Sequence, residues 1–340
     1  MRFTSLVQLA PKEFGIHFPA SCRAQHLARL GAVTNLLHAD PIVDLHESAV
    51  APHLAEVDIL VTGWKSRRID ARLRRQMPRL KLVAHLAGTV KSILDHDTAT
   101  SGLTVVSGAE ANARPVAEFT LAHILLHLKR VPEWRVAYQA QRSRIDTRSA
   151  TLAGPVGNTG RRVGIIGASR IGRRVAEELR RHRVSVLLHD PFVSAEAAAA
   201  FGAQKVSMDE LLAESDVVSL HQPLLPTTQH SFGTAEFAKM RDGALLINTA
   251  RGRIIAPGAL EEAMADGRLF AVLDVTDPEP LPDASPLWGM PNVTLTPHIA
   301  GSFGCEVCDM TGLVLDDIER FTRGEPLQNE VVLADWERVA

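Results

Sequence analysis

VGIIGASRIG, residues 163–172, decides the fold. VGIIG reads as a buried strand. It runs through a turn into IGRRVAEELRRHR, a helix whose apolar Ile171, Val175 and Leu179 recur at four-residue steps on one face. The dinucleotide fingerprint is G-x-G-x-x-G set between a strand and a helix. Gly167 and Gly172 take its first and third positions, and Ser169 stands at the second. A glycine there ordinarily lets the backbone approach a pyrophosphate with no side chain between them. Serine is small and its hydroxyl is able to donate to a phosphate oxygen. The site is therefore expected to be perturbed, not abolished. The helix N-terminus offers free N–H groups and a positive dipole end to a phosphate, and Arg170 adds a cation. The next strand, VSVLLHD, ends at Asp190, 18 residues beyond Gly172. That is the place of the acidic residue that hydrogen-bonds the adenosine ribose and disfavours a 2′-phosphate. NAD is the expected cofactor.

Around this unit the chain alternates strand and helix. DVVSLHQP, ALLINTA, AVLDV and NVTLTP read as further strands. SMDELLAES opens a helix with Ser207 and carries Glu210 three residues later, the pattern of a capping box. PGALEEAMADGRL begins with proline and ends near Gly267, which are helix start and stop signals. Repeated β-α units of this length give a parallel sheet with helices on both faces. Upstream, ILVTGW, KLVAHLA and LTVVSG read as strands of a separate αβ region that has no glycine fingerprint of its own. VAEFTLAHILLHLKR, between the two blocks, reads as a long apolar helix buried between domains or between subunits. ATLAGPVGNTG reads as a loop, and the tail from Gly301 to Leu333 as helical again, in position to return to the first block.

The bulk properties fit this picture. A chain of 340 residues is too long for one ordinary core and suits two domains. Its net charge of −2 gives no whole-chain case for a nucleic-acid or acidic-membrane partner. No apolar run approaches the roughly 18 residues of a membrane helix. MRFTSLVQLAPKEF lacks the sustained apolar run of a signal peptide. Three cysteines, Cys22, Cys305 and Cys308, argue against a disulfide framework. A soluble cytoplasmic protein is expected. Cys305-Glu306-Val307-Cys308 has C-x-x-C spacing, but a structural zinc needs four ligands and no second cysteine pair exists. The pair reads as two thiols on a helix, and no metal is expected. The cationic run from Arg67 to Lys81 reads as a solvated face.

Three pieces carry the chemistry. INTARG places Arg251 directly after a strand, DVTDPEPLP holds Asp274 and Glu279, and LTPHIAG holds His298. All sit at carboxyl ends of strands, where doubly wound sheets bind ligands. Interconverting a hydroxy acid and a keto acid needs a carboxylate anchor and a proton donor or acceptor. Arg251 supplies a fixed fork for oxygens, and His298 supplies the proton near neutral pH. Glu279 beside His298 favours the imidazolium and holds the ring.

These residues resemble the D-isomer-specific 2-hydroxyacid dehydrogenases, a family that includes phosphoglycerate, glycerate, formate and phosphite dehydrogenases. The resemblance rests on VGIIGASRIG, LLHDP, SLHQPLLPTTQHSFG, MRDGALLINTARGRII, ALEEAMADGRL, LDVTDPEPLP and NVTLTPHIAGS, with PVAEFTLAHILL as the helix entering the cofactor domain. It implies an α/β fold of two domains: a Rossmann-like doubly wound NAD domain over 112–301, and a flavodoxin-like substrate domain formed by 1–111 and 302–340. It implies that Arg251 binds substrate, His298 is the acid/base and Glu279 its partner. It places Asp274, Thr249 and Ala250 at the nicotinamide end, with Pro223 and Thr228 lining the cofactor. The cofactor set it implies also takes in Gly167, Ser169, Arg170, Ile171, Asp190, Pro191, His221, Arg251, His298, Ala300 and Gly301. It further implies a homodimer built partly through the VAEFTLAHILL helix.

The first domain departs from the family. Its substrate loop reads roughly A-G-x-G-x-D-N, with backbone amides on the substrate carboxylate. Here the stretch is Ala87-Gly88-Thr89-Val90-Lys91-Ser92-Ile93, with Val90 in place of the second glycine and Ser92-Ile93 in place of Asp-Asn. Gly88, Thr89, Val90 and Lys91 join Arg251 and His298 as the expected substrate contacts. Lys91 is expected to meet a second anion or strongly polar group, such as a phosphate, a phosphonate or several hydroxyls. Two other functions stand beside this one. Phosphite or formate oxidation would use the same cofactor. An NAD-sensing, corepressor-like binding protein would use the same fold, as in the C-terminal-binding proteins.

Overall fold

The computed structural model describes residues 2–38, 42, 45, 50–146, 156–333 and 336. The chain divides into two compact units, Met1–Ala113 with Ser302–Ala340, and Arg114–Gly301.

The first unit holds a five-stranded sheet of β1 (Thr4–Val7), β2 (Asn35–Leu36), β3 (Ile59–Thr62), β4 (Leu82–His85) and β5 (Thr104–Ser107). The strands are parallel in the order β2-β1-β3-β4-β5, which is the flavodoxin-like order. β1, β3 and β4 are buried along their whole length. A parallel sheet covered on both faces selects such unbroken apolar runs. Alternate residues serve the two faces: Leu6, Leu60, Val83 and Val105 pack on one, and Val7, Val61, Ala84 and Val106 on the other. Val314, Leu315 and Ile318 of the helix Glu306–Arg323 close the second face. That helix is shorter than the expected helical tail. It stops at Gly324, whose left-handed φ of 68° ends it.

The cysteines differ from expectation. Cys22 and Cys308 are joined as a disulfide with Cα atoms 6.2 Å apart. Cys305 precedes the helix Glu306–Arg323 and is exposed. A count of three gives no sign of a pair separated by 286 residues. Packing of the helix Arg23–Val33 on Glu306–Arg323 brings the two together.

The second unit holds β6 (Arg162–Ile166), β7 (Ser185–His189), β8 (Ala203–Lys205), β9 (Val217–Leu220), β10 (Leu245–Asn248), β11 (Phe270–Leu273) and β12 (Val293–Leu295). All pair in parallel, in the order β12-β11-β10-β9-β6-β7-β8. The order reverses between β6 and β9, and such a switch point opens a ligand crevice at the carboxyl ends. The long helix is Ala109–Leu128. It starts earlier than the apolar pattern and runs through Pro115. Its Ala117, Ile124 and Leu128 join the core with Val163, Ile165 and Val175. Leu126 stays exposed, as do Val131, Val136 and Tyr138 of the following helix Val131–Gln141. Of the expected loop at 150–160, residues 150–155 lie outside the described residues, and the rest forms turns. Among the described residues, no helix is long and apolar enough to cross a membrane.

Candidate active site

The glycine turn sits at the switch point. Gly167 has φ of 94°, and a Cβ there would lie 2.6 Å from the Gln222 amide nitrogen in the segment after β9. A Cβ on Gly172 would lie 2.2 Å from the Gly167 carbonyl. Both positions therefore demand glycine. Ser169 does not: its φ of −62° and ψ of 176° are extended backbone open to any residue. Its Oγ caps the helix Arg170–Leu179 by accepting from the Gly172 N–H at 3.3 Å. The hydroxyl proton remains for another acceptor. The N–H groups of Ser169 and Ile171 have no acceptor among the described residues. Turn and helix start together form a cradle for an anion.

Asp190 follows β7 and holds this turn in place. Its Oδ2 accepts from the Ala168 N–H at 2.8 Å, and its Oδ1 from the Phe192 N–H at 2.8 Å. Each oxygen keeps a lone pair for a ribose hydroxyl. Pro191, beside it, is exposed. His221 follows β9, and its imidazole is turned inward. The ring bonds Ser219 Oγ at 2.8 Å, and burial lowers its pKa to about 3. Thr228 Oγ1 ties its own loop by donating to the Pro223 carbonyl at 2.5 Å and accepting from the Leu225 N–H at 2.8 Å.

Arg251 leaves β10 through a clamped turn. Asn248 Oδ1 accepts from the Ala250 N–H at 3.0 Å, and its Nδ2 donates to the Arg251 carbonyl at 3.0 Å. Gly252 comes next, where a Cβ would lie 2.0 Å from the Thr276 carbonyl oxygen. Only glycine lets the two turns, 251–252 and 274–279, press together. The Arg251 side chain reaches the surface and donates to the Ala250 carbonyl at 2.6 Å. Desolvation by the protein around it lowers its pKa below the ordinary arginine value, and the nearby Glu279 carboxylate opposes that. Thr249 is buried, and its Oγ1 has no partner among the described residues.

His298 Nδ1 and Glu279 Oε1 are 2.7 Å apart, with both side chains about half exposed. An ionised Glu279 accepts from Nδ1–H, which leaves Nε2 as the outward nitrogen. His298 has a left-handed φ of 58°, and its N–H bonds the Thr296 carbonyl at 3.0 Å. Asp274, 2% exposed at the end of β11, holds both sides of it. Asp274 Oδ1 accepts from Thr296 Oγ1 at 2.6 Å and from the Ile299 N–H at 2.8 Å, and Oδ2 accepts from the Ala300 N–H at 2.9 Å. Gly301 follows at the limit of this unit. Arg251, Glu279 and His298 thus form one group around Glu279.

In the first unit, Gly88, Thr89 and Val90 follow β4. Their three N–H groups have no acceptor among the described residues. Gly88 and Thr89 are half-buried, whereas Val90 is fully buried in the core. Lys91 is half-buried, and its N–H bonds Thr89 Oγ1 at 3.3 Å. His85 supports the loop from below: its Nδ1 lies 3.0 Å from Thr62 Oγ1. Burial, with the electrostatic effect of nearby His17, lowers the His85 pKa to about 3, and a hydrogen bond to the Thr89 backbone opposes this. Of the cationic run, Arg79 bonds Asp58 at 2.8 Å and Arg68 lies 3.6 Å from Asp95.

Residues 121–300 match the family model described as the D-isomer specific 2-hydroxyacid dehydrogenase, NAD binding domain. The chain is 34% identical over 273 residues to D-3-phosphoglycerate dehydrogenase of Archaeoglobus fulgidus, covering 79% of this chain and 50% of that one. It belongs to the D-isomer specific 2-hydroxyacid dehydrogenase family. A glyoxylate reductase of Aeropyrum pernix is 34% identical over 288 residues, covering 81% of this chain and 83% of its own. The crystal structure of apo D-mandelate dehydrogenase from Rhodotorula graminis superposes with a TM-score of 0.76 at 25% identity, covering 97% of this chain and 98% of that one. The matched region spans half the length of the phosphoglycerate dehydrogenase.

Asn248, Asp274 as a loop holder, and His85 were not legible as site supports. Each acts by bonding backbone or loop atoms that no motif displays. NAD fits what the chain offers: a glycine cradle that a Cβ would fill at Gly167 and Gly172, unpaired N–H groups beside it, and an orphaned Thr249 hydroxyl.

Proposed function

We propose that this chain is an NAD-dependent oxidoreductase that interconverts a 2-hydroxy acid and its 2-oxo acid. The observation that carries the proposal is the His298–Glu279 pair, 2.7 Å apart, beside Arg251 on strand ends of the sheet that holds the glycine turn. Gly167, Ser169, Arg170 and Ile171 would hold the pyrophosphate, Asp190 the ribose, and Thr249, Ala250 and Arg251 the nicotinamide end. When bound, the dinucleotide supplies or accepts hydride. The protein handles the rest. His298 Nε2 gives a proton to the substrate oxygen during reduction and withdraws it during oxidation. Glu279 fixes the tautomer that leaves Nε2 free to do so. The Arg251 fork steadies the carboxylate and the oxygen that gains charge. The unpaired amides of Gly88 and Thr89 receive the substrate carboxylate.

The substrate we infer carries a second anionic group or several hydroxyls, met by Lys91. A charge-assisted bond there contributes about 1.5–3 kcal/mol, or about 10- to 100-fold in preference. The test is NADH turnover with a panel of 2-oxo acids bearing phosphate, phosphonate, hydroxyls or nothing, plus formate and phosphite with NAD⁺. The expected result is that functionalised 2-oxo acids outperform pyruvate, and that Lys91→Met collapses their advantage over it. Turnover of formate or phosphite alone would replace this reading with anion oxidation. NADH binding with no turnover of anything would favour a sensor.

We also infer a homodimer. Leu126, Val131, Val136 and Tyr138 expose apolar surface on consecutive helices, which a partner subunit would cover. Light scattering should give about twice the chain mass of 37.0 kDa. A monomer at working concentration removes the inference.

A further inference from the structure

Beside the 88–90 loop, on the neighbouring strand, lies a device that the proposed reaction does not use. β3 and β4 pair so that Thr62 stands opposite His85. Gly63-Trp64 and Gly88–Val90 therefore follow the carboxyl ends of adjacent strands of the same sheet. Trp64 is half-buried there. Its indole stacks on the imidazole of His17, with centroids 4.6 Å apart and planes at 29°. His17 comes from the end of the helix Pro11–His17 and is fully buried. Its Nε2 accepts from the Trp64 backbone N–H at 3.2 Å. Room for it exists because residue 63 is glycine: a Cβ there would lie 2.4 Å from His17 Nε2. Burial lowers the His17 pKa to about 4, so the ring behind the indole is neutral at ordinary pH.

Trp64 is thus a braced aromatic plate at the carboxyl end of the sheet, and its position is fixed by two elements, the end of β3 and the helix Pro11–His17. Its Nε1–H has no acceptor among the described residues. From the end of the adjacent strand follow the half-buried Gly88 and Thr89, whose amide N–H groups have no acceptor among the described residues. The groups offered at this end of the sheet are a flat π face and hydrogen-bond donors. A carboxylate uses the amides. A side chain that uses the plate and the indole N–H together needs an apolar C–H face and oxygen acceptors on one skeleton. A polyhydroxylated carbon chain has both. A plain phenyl group would cover the plate and leave the indole N–H unpaired, and a methyl group would do neither.

We propose that Trp64 is a specificity-determining residue that selects polyhydroxylated 2-oxo acids of the sugar-acid class, stacking on their C–H face and donating from Nε1 to a hydroxyl. The inference rests on the proposed 2-hydroxy acid chemistry for its reaction, though not for its binding.

Three probes and two variants test it. The probes are 2-ketogluconate, phenylglyoxylate and glyoxylate, each with NADH. The reading is the ratio of kcat/KM for 2-ketogluconate to that for glyoxylate. Trp64→Phe keeps the plate and loses the donor, so the ratio should fall about threefold. Trp64→Leu loses both, and the ratio should fall about 30-fold. An unchanged ratio in Trp64→Leu, or phenylglyoxylate preferred to 2-ketogluconate by the unaltered protein, would overturn the proposal. So would an equal loss on all probes in Trp64→Leu with Trp64→Phe equally damaged, since that marks a purely structural tryptophan. Binding is read separately, by quenching of tryptophan fluorescence as 2-ketogluconate is added. Quenching in the unaltered protein that Trp64→Leu abolishes, without turnover of any probe, would keep the subsite and sink the proposed reaction. No quenching and no turnover would sink both.

Discussion

His298→Ala is expected to lower the rate of 2-oxo acid reduction by roughly 10²- to 10⁴-fold, the usual loss when a general acid is removed, while NADH still binds. The geometry explains the size of the effect. With Glu279 Oε1 at 2.7 Å from Nδ1, the tautomer is set and Nε2 is the nitrogen available to the reacting oxygen. Alanine removes the proton carrier and leaves Arg251 without a partner that could replace it, since a guanidinium does not give up its proton in this pH range. Arg251 still binds oxygen, and the glycine cradle lies on other strands, so binding and chemistry separate in this variant. Steady-state turnover and calorimetric titration of NADH check the two halves. Near-normal reduction by His298→Ala would mean that the proton comes from another group.

How much of this was legible in the sequence differs from one element to the next. β6 and its glycine turn were legible because strand, turn and helix follow one another within a few residues, and Gly167 and Gly172 are dictated by contacts that local backbone creates. The serine at the middle position looked like a defect. Its extended backbone and its capping bond to Gly172 show that the turn has no conformational need for glycine there. The strands β3 to β5 and β6, β7 and β9 to β12 announce themselves as apolar runs. β1 does not stand out in its stretch, because Thr4 and Ser5 break the run although both are buried. β8 is a three-residue edge strand with exposed Gln204 and Lys205, too short and too polar to show a pattern. The Cys22–Cys308 link depends on two helices meeting, which no spacing records. In the candidate site, the residues proposed to touch the chemistry stood out by type at strand ends. Those that hold them did not. Asn248 and His85 read as ordinary strand residues, and their work is done by side-chain bonds, from Asn248 to the turn at 250–251 and from His85 to Thr62 of the neighbouring strand.

Asp274 shows most sharply the difference between touching the chemistry and holding it. Asp274→Asn is expected to lower the reduction rate about 100-fold while NADH affinity changes by no more than about twofold. Family resemblance places this residue at the nicotinamide, where its loss would weaken cofactor binding. The structure gives its carboxylate three donors already: Thr296 Oγ1 at 2.6 Å, the Ile299 N–H at 2.8 Å and the Ala300 N–H at 2.9 Å. These bracket His298, whose own backbone sits at a left-handed φ of 58°, a conformation uncommon for residues other than glycine. Asparagine offers one acceptor oxygen where two served, and it turns an NH₂ toward backbone donors in a site 2% exposed. One or more of those donors is left unpaired, at a cost of about 1–3 kcal/mol in stability. The segment 296–300 then relaxes, and a shift of about 1 Å in a reacting group is enough for a loss of about 10² in rate. Thermal unfolding, kcat and NADH titration on the one variant give the answer. If NADH affinity falls in step with the rate, Asp274 acts on the cofactor itself. If the rate holds while stability falls, His298 keeps its place without Asp274.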